Sequence, residues 1–96
     1  MQEAIDQLGR EVAQQAQVEL AGRSFGAVGA VDYLGADAAA ADDEPHWQLR
    51  WRADLTGEQR EVQLVILPEF LEMDRELLVS QLVIMLSQQV LEGLTA

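Results

Sequence analysis

The sequence predicts a single α+β domain over residues 1–96, in the order α-β-β-β-α. A three-stranded antiparallel meander carries helices packed on one face. Three observations support this prediction: the first and last segments space apolar residues as helices do, two central segments alternate apolar and polar residues around a turn, and 96 residues suit one domain.

The first predicted helix covers residues 3–21. Apolar residues recur there at steps of three and four, which places them on one side of a helix. These residues are Ile5, Leu8, Val12, Ala16 and Leu20. Gly22 follows directly and is expected to end the helix.

Residues 24–34 predict the first strand, because they are rich in Val, aromatic residues and Gly. Gly26 and Gly29 indicate a bulge or a close approach of another backbone. Residues 35–45 show no apolar periodicity beyond Ala and end in acids before Pro45, so they predict an acidic loop.

Residues 46–54 and 59–67 predict a hairpin with a tight turn at Thr56-Gly57. Both strands alternate strictly, and only one register places apolar residues on one face and polar residues on the other. That register sets Trp51 opposite Val62, Leu49 opposite Leu64, Trp47 opposite Ile66 and Arg52 opposite Glu61. Both Trp residues are therefore expected in the core.

The last predicted helix covers residues 69–92, with Pro68 at its entry and Gly93 after its end. One broad apolar stripe has the spacing of a core-facing surface. Its members are Val79, Leu82, Val83, Leu86 and Val90.

A second apolar row on this helix has the form of a short heptad seam with small residues at two positions. The candidate seam consists of Phe70, Met73, Leu77, Ser80, Ile84, Ser87 and Leu91. Either the first helix or a second copy of the chain could cover it. We expect a homodimer, because a small domain gains stability from such a contact.

The polar face of the predicted hairpin is a candidate recognition face. Its residues are His46, Gln48, Arg50 and Arg52. Functionally, the arginines could bind carboxylates or other anions in bidentate fashion. Alternatively, this is a solvated face whose arginines pair with Glu61 and nearby acids.

Composition narrows the function classes. The net charge of −11 repels nucleic-acid backbones and anionic lipid, so we expect no direct nucleic-acid or membrane binding. The last helix also carries polar residues on every turn, unlike a membrane span. No secretory leader is recognisable, which predicts a cytoplasmic protein. Basic residues are all Arg, and Asn is absent, as is typical of a GC-rich bacterial genome.

No motif for catalysis, cofactor binding or metal binding is recognisable, and we expect none of these activities. Cysteine is absent, which excludes thiolate chemistry and disulfides. Clustered carboxylates could bind a divalent cation, but their spacing matches no EF-hand loop. These carboxylates belong to Asp37, Asp42, Asp43 and Glu44.

The sequence thus favours a non-catalytic protein-binding module: an acidic homodimeric adaptor, chaperone-like or regulatory protein whose partners are itself and, as an alternative, another protein. One rival is an acidic nucleic-acid mimic that inhibits a basic DNA-binding protein. Another is a small-ligand-binding domain or an enzyme without a recognisable motif.

Overall fold

A computed structural model of the chain describes residues 2–23, 28–41 and 44–95. These residues form an α+β fold in the predicted order α-β-β-β-α, with a 3₁₀ helix inserted before the last α-helix. The elements are α1 Gln2–Arg23, β1 Val28–Ala41, β2 Glu44–Leu55, β3 Glu58–Ile66, the 3₁₀ helix Pro68–Glu72, and α2 Arg75–Thr95.

The three strands form one antiparallel sheet in the order β1-β2-β3, which is the predicted meander. The hairpin turn lies at Thr56 and Gly57, and Gly57 has a φ of 88° that favours glycine. The predicted hairpin register is confirmed. Its pairs are Trp51 with Val62, Leu49 with Leu64, Trp47 with Ile66, and Arg52 with Glu61.

Both helices contribute to one core on the apolar face of the sheet. α1 packs against β1 and α2, while α2 also contacts β3. The core includes Ile5, Leu8, Val12, Leu20, Leu49, Trp51, Val62, Leu64, Ile66, Val79, Leu82, Leu86 and Val90. Trp51 is fully buried and Trp47 is partly buried against this core, so the prediction that both pack there is confirmed.

The first strand is longer than the sequence predicts, and the predicted loop over 35–45 is wrong for most of its length. β1 continues to Ala41, and β2 begins at Glu44. The physical reason is that strand pairing uses backbone groups, which an alanine run offers as well as any other. Because Ala gives almost no apolar contrast, alternation along this part of the strand is invisible in the sequence. Residues 24–27, where the predicted strand began, lie outside the described residues.

β1 pairs with β2 through two irregularities. One falls between Val28 and Val31 and contains Gly29, for which the sequence predicted a bulge or a close approach of another backbone. The other falls between Tyr33 and Gly35, where Gly35 has a φ of 144°. Gly26, the other predicted position, lies outside the described residues. Each bulge adds one residue to β1 and bends the strand locally.

The predicted helix over 69–92 is divided into two helices. The 3₁₀ helix ends at Glu72, Met73 is extended, and α2 begins at Arg75. Asp74 causes the restart, because its carboxylate accepts a hydrogen bond from the Leu77 N–H at 3.4 Å, as an N-cap does. At the other end, α2 passes the predicted stop and runs to Thr95.

α1 also runs past its predicted end, through Gly22 to Arg23. An ion pair of 3.0 Å between Arg75 and Glu11 joins the start of α2 to α1. Both side chains are about half exposed, so this pair fixes the position of the helices more than it adds to stability.

Candidate interaction surfaces

An uncharged, partly apolar surface lies on the side of α2 that faces away from the core. We call it the α2 ridge; it consists of Leu77, Ser80, Gln81, Ile84, Met85, Gln88 and Leu91. Residues 77–91 contain no charged side chain, although the chain as a whole has a net charge of −11. These fifteen residues are the longest stretch of the sequence without a charged side chain.

Large apolar side chains on the ridge are open to solvent. Leu77 is 50% exposed, Ile84 55% and Met85 41%. A buried arc of the same helix packs on β3 and α1, so α2 carries an exposed apolar patch in addition to its core-facing surface. α1 leaves Leu77 and Ile84 uncovered because its own narrow apolar stripe is fully used in the core.

The candidate seam is not one continuous exposed row. Leu77, Ser80 and Ile84 lie at the surface, and Ser87 is buried, with 2% exposure. The remaining three residues of the seam are partly buried against the core: Phe70, Met73 and Leu91. The structure therefore places the middle of the seam in solvent and draws its ends inward.

An apolar crevice of about 150 Å³ lies between the 3₁₀ helix and α2, next to the ridge. Its walls are Phe70, Met73, Leu78, Gln81, Leu82 and Met85. Two of these are methionines, whose flexible side chains adapt to different neighbours. The crevice lies beside the N-terminal half of α2 and extends the apolar surface of the ridge.

The outer face of the sheet brings the candidate recognition residues together. His46, Gln48 and Arg50 are half-buried there and Arg52 is exposed. The register places Arg52 opposite Glu61, yet its guanidinium lies 3.9 Å from the Asp32 carboxylate on β1.

Arg50 has a similar intrachain partner, since its guanidinium lies 3.3 Å from the Asp37 carboxylate. The sequence did not predict Asp37 as part of this face, because residues 35–45 were predicted to form a loop. With β1 extended to Ala41, Asp37 pairs with Gln48 and lies beside the arginines. Asp32 and Asp37 are five residues apart, so strict alternation would place them on opposite faces. The irregularity between Tyr33 and Gly35 brings both to the face of the arginines, and the sequence carries no clear signal of this.

A polar cluster between α1 and the sheet was also missed by sequence reasoning. The Trp51 indole N–H donates to the Gly9 carbonyl at 2.9 Å, and the Tyr33 hydroxyl donates to Asp6 Oδ1 at 2.8 Å. The two rings lie 5.9 Å apart in a tilted arrangement. Burial, with the hydrogen bond to Asp6, raises the pKa of Tyr33 well above its ordinary value. These contacts hold α1 against β1 and β2.

A wide groove of about 480 Å³ runs beside this cluster. It is lined by Arg10, Ala13, Gln14, Gln17, Val31, Asp32 and Tyr33. Gln17 is already engaged, since its Oε1 accepts a hydrogen bond from the Val31 N–H at 3.0 Å. The groove is the place where the small-ligand alternative would have to be examined.

The acidic cluster that could bind a divalent cation lies only partly within the described residues. Asp37 pairs with Arg50, while Asp42 and Asp43 lie outside the described residues. Over residues 2–23, 28–41 and 44–95, no group of three or more His, Asp or Glu side chains could hold a metal ion.

Neither α1 nor α2, over the part of the chain that the structure describes, is both long and apolar enough to span a membrane. Comparison of the chain with family models, curated proteins and solved structures finds no match. Its function therefore has to be inferred from its own surfaces.

Proposed function

We propose that this protein is a non-catalytic protein-binding module that acts as a homodimer, of the adaptor, chaperone-like or regulatory kind. The observation that supports this proposal is the α2 ridge. It is uncharged over residues 77–91 and leaves Leu77 and Ile84 half exposed in a chain with a net charge of −11. Exposed apolar surface of this kind typically marks a contact with another protein.

Covering the ridge would be favourable. Complete burial of a Leu, Ile or Met side chain contributes roughly 1.5–3 kcal/mol, so covering the exposed half of each would contribute about 1 kcal/mol. Three such side chains in each copy would add to the thin stability margin of a domain of 96 residues.

Charge favours a second copy as the occupant of the ridge. A twofold dimer places the same patch of both copies in contact, so an acidic patch would bring acids against acids. The α2 ridge has no acid to repel its equivalent in the partner. A basic partner, by contrast, would gain more from the acidic surfaces elsewhere on the molecule.

A dimer joined through α2 would leave the outer faces of both sheets uncovered. We assign the alternative partner, another protein, to this face of the sheet, around Gln48, Arg50 and Arg52. The proposed module has no catalytic residue, cofactor or metal ion, and it makes no direct contact with nucleic acid or membrane. Its proposed location is the cytoplasm.

Solution mass of the Ile84→Asp variant tests the homodimer. We expect the unmodified chain to be dimeric and Ile84→Asp to be monomeric and folded, because a carboxylate on a covered apolar surface loses its hydration. Val18→Asp is the matched control: Val18 is 75% exposed and belongs to α1, not to the ridge, so its variant should stay dimeric. A monomeric unmodified chain at micromolar concentration would refute the proposal.

The two rival functions stay predictions. Mimicry of nucleic acid requires acids along one continuous surface, and Asp32 and Asp37 on the sheet are instead paired with arginines. A small-ligand site or enzyme would use the groove beside Tyr33, where the lining residues offer no catalytic arrangement that we recognise.

A further inference from the structure

Given the proposed homodimer, the distribution of charge along α2 also determines how the two copies meet. Exposed acids concentrate at and before the beginning of α2. They are Glu69, Glu72, Asp74 and Glu76. Near the other end, the acid among the described side chains is Glu92. The two ends of the ridge therefore differ strongly in charge.

The one base within this acidic end does not neutralise it. Arg75 is engaged with Glu11 on α1, at 3.0 Å between its guanidinium and the carboxylate. A parallel pair of α2 helices would bring the four acids of one copy beside the same four acids of the other. An antiparallel pair would place each group beside the partner's C-terminal half, which is nearly free of charge.

The helix dipoles act in the same direction. Two parallel helices align like ends, whereas two antiparallel helices place the partly positive N-terminus of each beside the partly negative C-terminus of the other. Asp74 and Glu76 at the N-terminus partly offset this dipole. However, these acids of one copy lie close to the same acids of the other copy, and so repel them, only in the parallel arrangement. Both effects therefore favour the antiparallel pair.

The position of the apolar crevice also favours the antiparallel pair. The crevice bounded by Phe70, Met73 and Met85 lies beside the N-terminal half of α2. In an antiparallel pair it would face the C-terminal half of the partner's helix, including the partner's Leu91. In a parallel pair, each crevice would face the other, and both would need filling.

We infer that two copies of this chain pair antiparallel through their α2 ridges about a twofold axis near Ile84. Ile84 is the midpoint of the uncharged stretch 77–91, so this position gives the greatest overlap of uncharged surface. Leu77 of each copy then lies near Leu91 of the other. Ser80, small and exposed, lies about one turn from this axis and lets the helices approach closely there.

Crosslinking of single-cysteine variants tests the orientation, since the chain has no cysteine of its own. A bismaleimide linker spanning about one helix diameter, about 10 Å, should join L77C to L91C in a mixture of the two variants. Neither variant alone should crosslink to itself. In the antiparallel pair, residue 77 of one copy is displaced from residue 77 of the other by the length of fourteen helical residues, about 21 Å, and the same holds for residue 91. V18C is the control for random collision.

A spin label at Glu76 gives a second measurement that leaves the apolar side chains intact. The antiparallel pair predicts labels more than about 20 Å apart, and the parallel pair predicts about one helix diameter. Self-crosslinking of L77C with a short distance at Glu76 would overturn the antiparallel arrangement while leaving the homodimer standing. A monomeric mass of the unmodified chain would instead refute the proposed function and this inference with it.

Discussion

At the scale of single residues, Tyr33 and Gly9 show how one contact requires another. The Trp51 indole reaches the Gly9 carbonyl, and the Tyr33 ring lies where a side chain on Gly9 would begin. The sequence shows one Tyr and a Gly inside a helix, and neither pattern indicates a partner. The structural roles of Tyr33 and Gly9 depend on contacts with residues more than twenty positions away, such as the hydrogen bond from Tyr33 to Asp6.

The alkaline stability of the protein should depend on Tyr33. The pKa of Tyr33 is raised in the folded state from its usual 10.0, so this residue stabilises the fold below pH 10 and loses that contribution as the pH rises above it. With no Lys, no Cys and one Tyr in the chain, Tyr33 is the side chain that titrates in this range. We expect the urea midpoint to fall above about pH 10 in the unmodified protein, and to fall much less in Tyr33→Phe.

Urea unfolding at several pH values checks this, with near-ultraviolet absorbance following the phenolate. Tyr33→Phe should also be less stable at neutral pH, because it leaves the Asp6 carboxylate without the hydroxyl donor. Identical pH curves for both proteins would contradict the role given to Tyr33.

At the scale of elements, the contact of α1 with the sheet depends on a missing side chain. A Cβ at Gly9 would lie 2.2 Å from Cε1 of Tyr33, a distance that real structures do not tolerate. The ring would have to leave its place between Asp6 and Trp51. Gly9 therefore sets how closely α1 approaches β1.

Gly9→Ala is expected to destabilise the fold by about 1–3 kcal/mol, as overpacking does. Gly22→Ala is the matched control in the same helix, because nothing lies within 4 Å of its added Cβ. Ala is the better helix former, so this control should gain up to about 1 kcal/mol. Equal urea midpoints for the two variants would show that the Tyr33 ring moves aside at no cost.

At the scale of the whole molecule, a net charge of −11 opposes compaction and association. The proposed dimer meets this opposition by placing an uncharged surface at the contact. Besides the local effects that orient the two helices, the main electrostatic force on the dimer is then the long-range repulsion between two acidic bodies.

Added sodium chloride should therefore tighten the dimer. Between about 0.01 M and 0.15 M salt, the screening length falls from about 30 Å to about 8 Å, which removes most of the repulsion. Sedimentation at several protein concentrations would give the dissociation constant, with Ile84→Asp as the monomeric control. A dimer that weakens with salt would mean that ion pairs hold it together, contrary to the uncharged ridge.

What the sequence by itself determined is the α+β order, the hairpin register and the core-facing stripe of the last helix. These features follow from local periodicity, since alternation in 46–54 and 59–67 permits one register that keeps Arg out of the core. The sequence did not predict the separate start of α2 at Asp74, because an Asp at that position is equally compatible with the first turns of one longer helix.

Only the tertiary structure decided the length of β1, the pairing of Asp37 with Arg50, and which part of the seam lies in solvent. Each depends on where a distant element lies: β2 provides the backbone that extends β1, and the packing of α2 against α1 and β3 leaves Ser87 buried and Ile84 exposed. Alanine and serine are compatible with core, strand and surface alike, so their neighbours in space, and not their neighbours in sequence, determine their place.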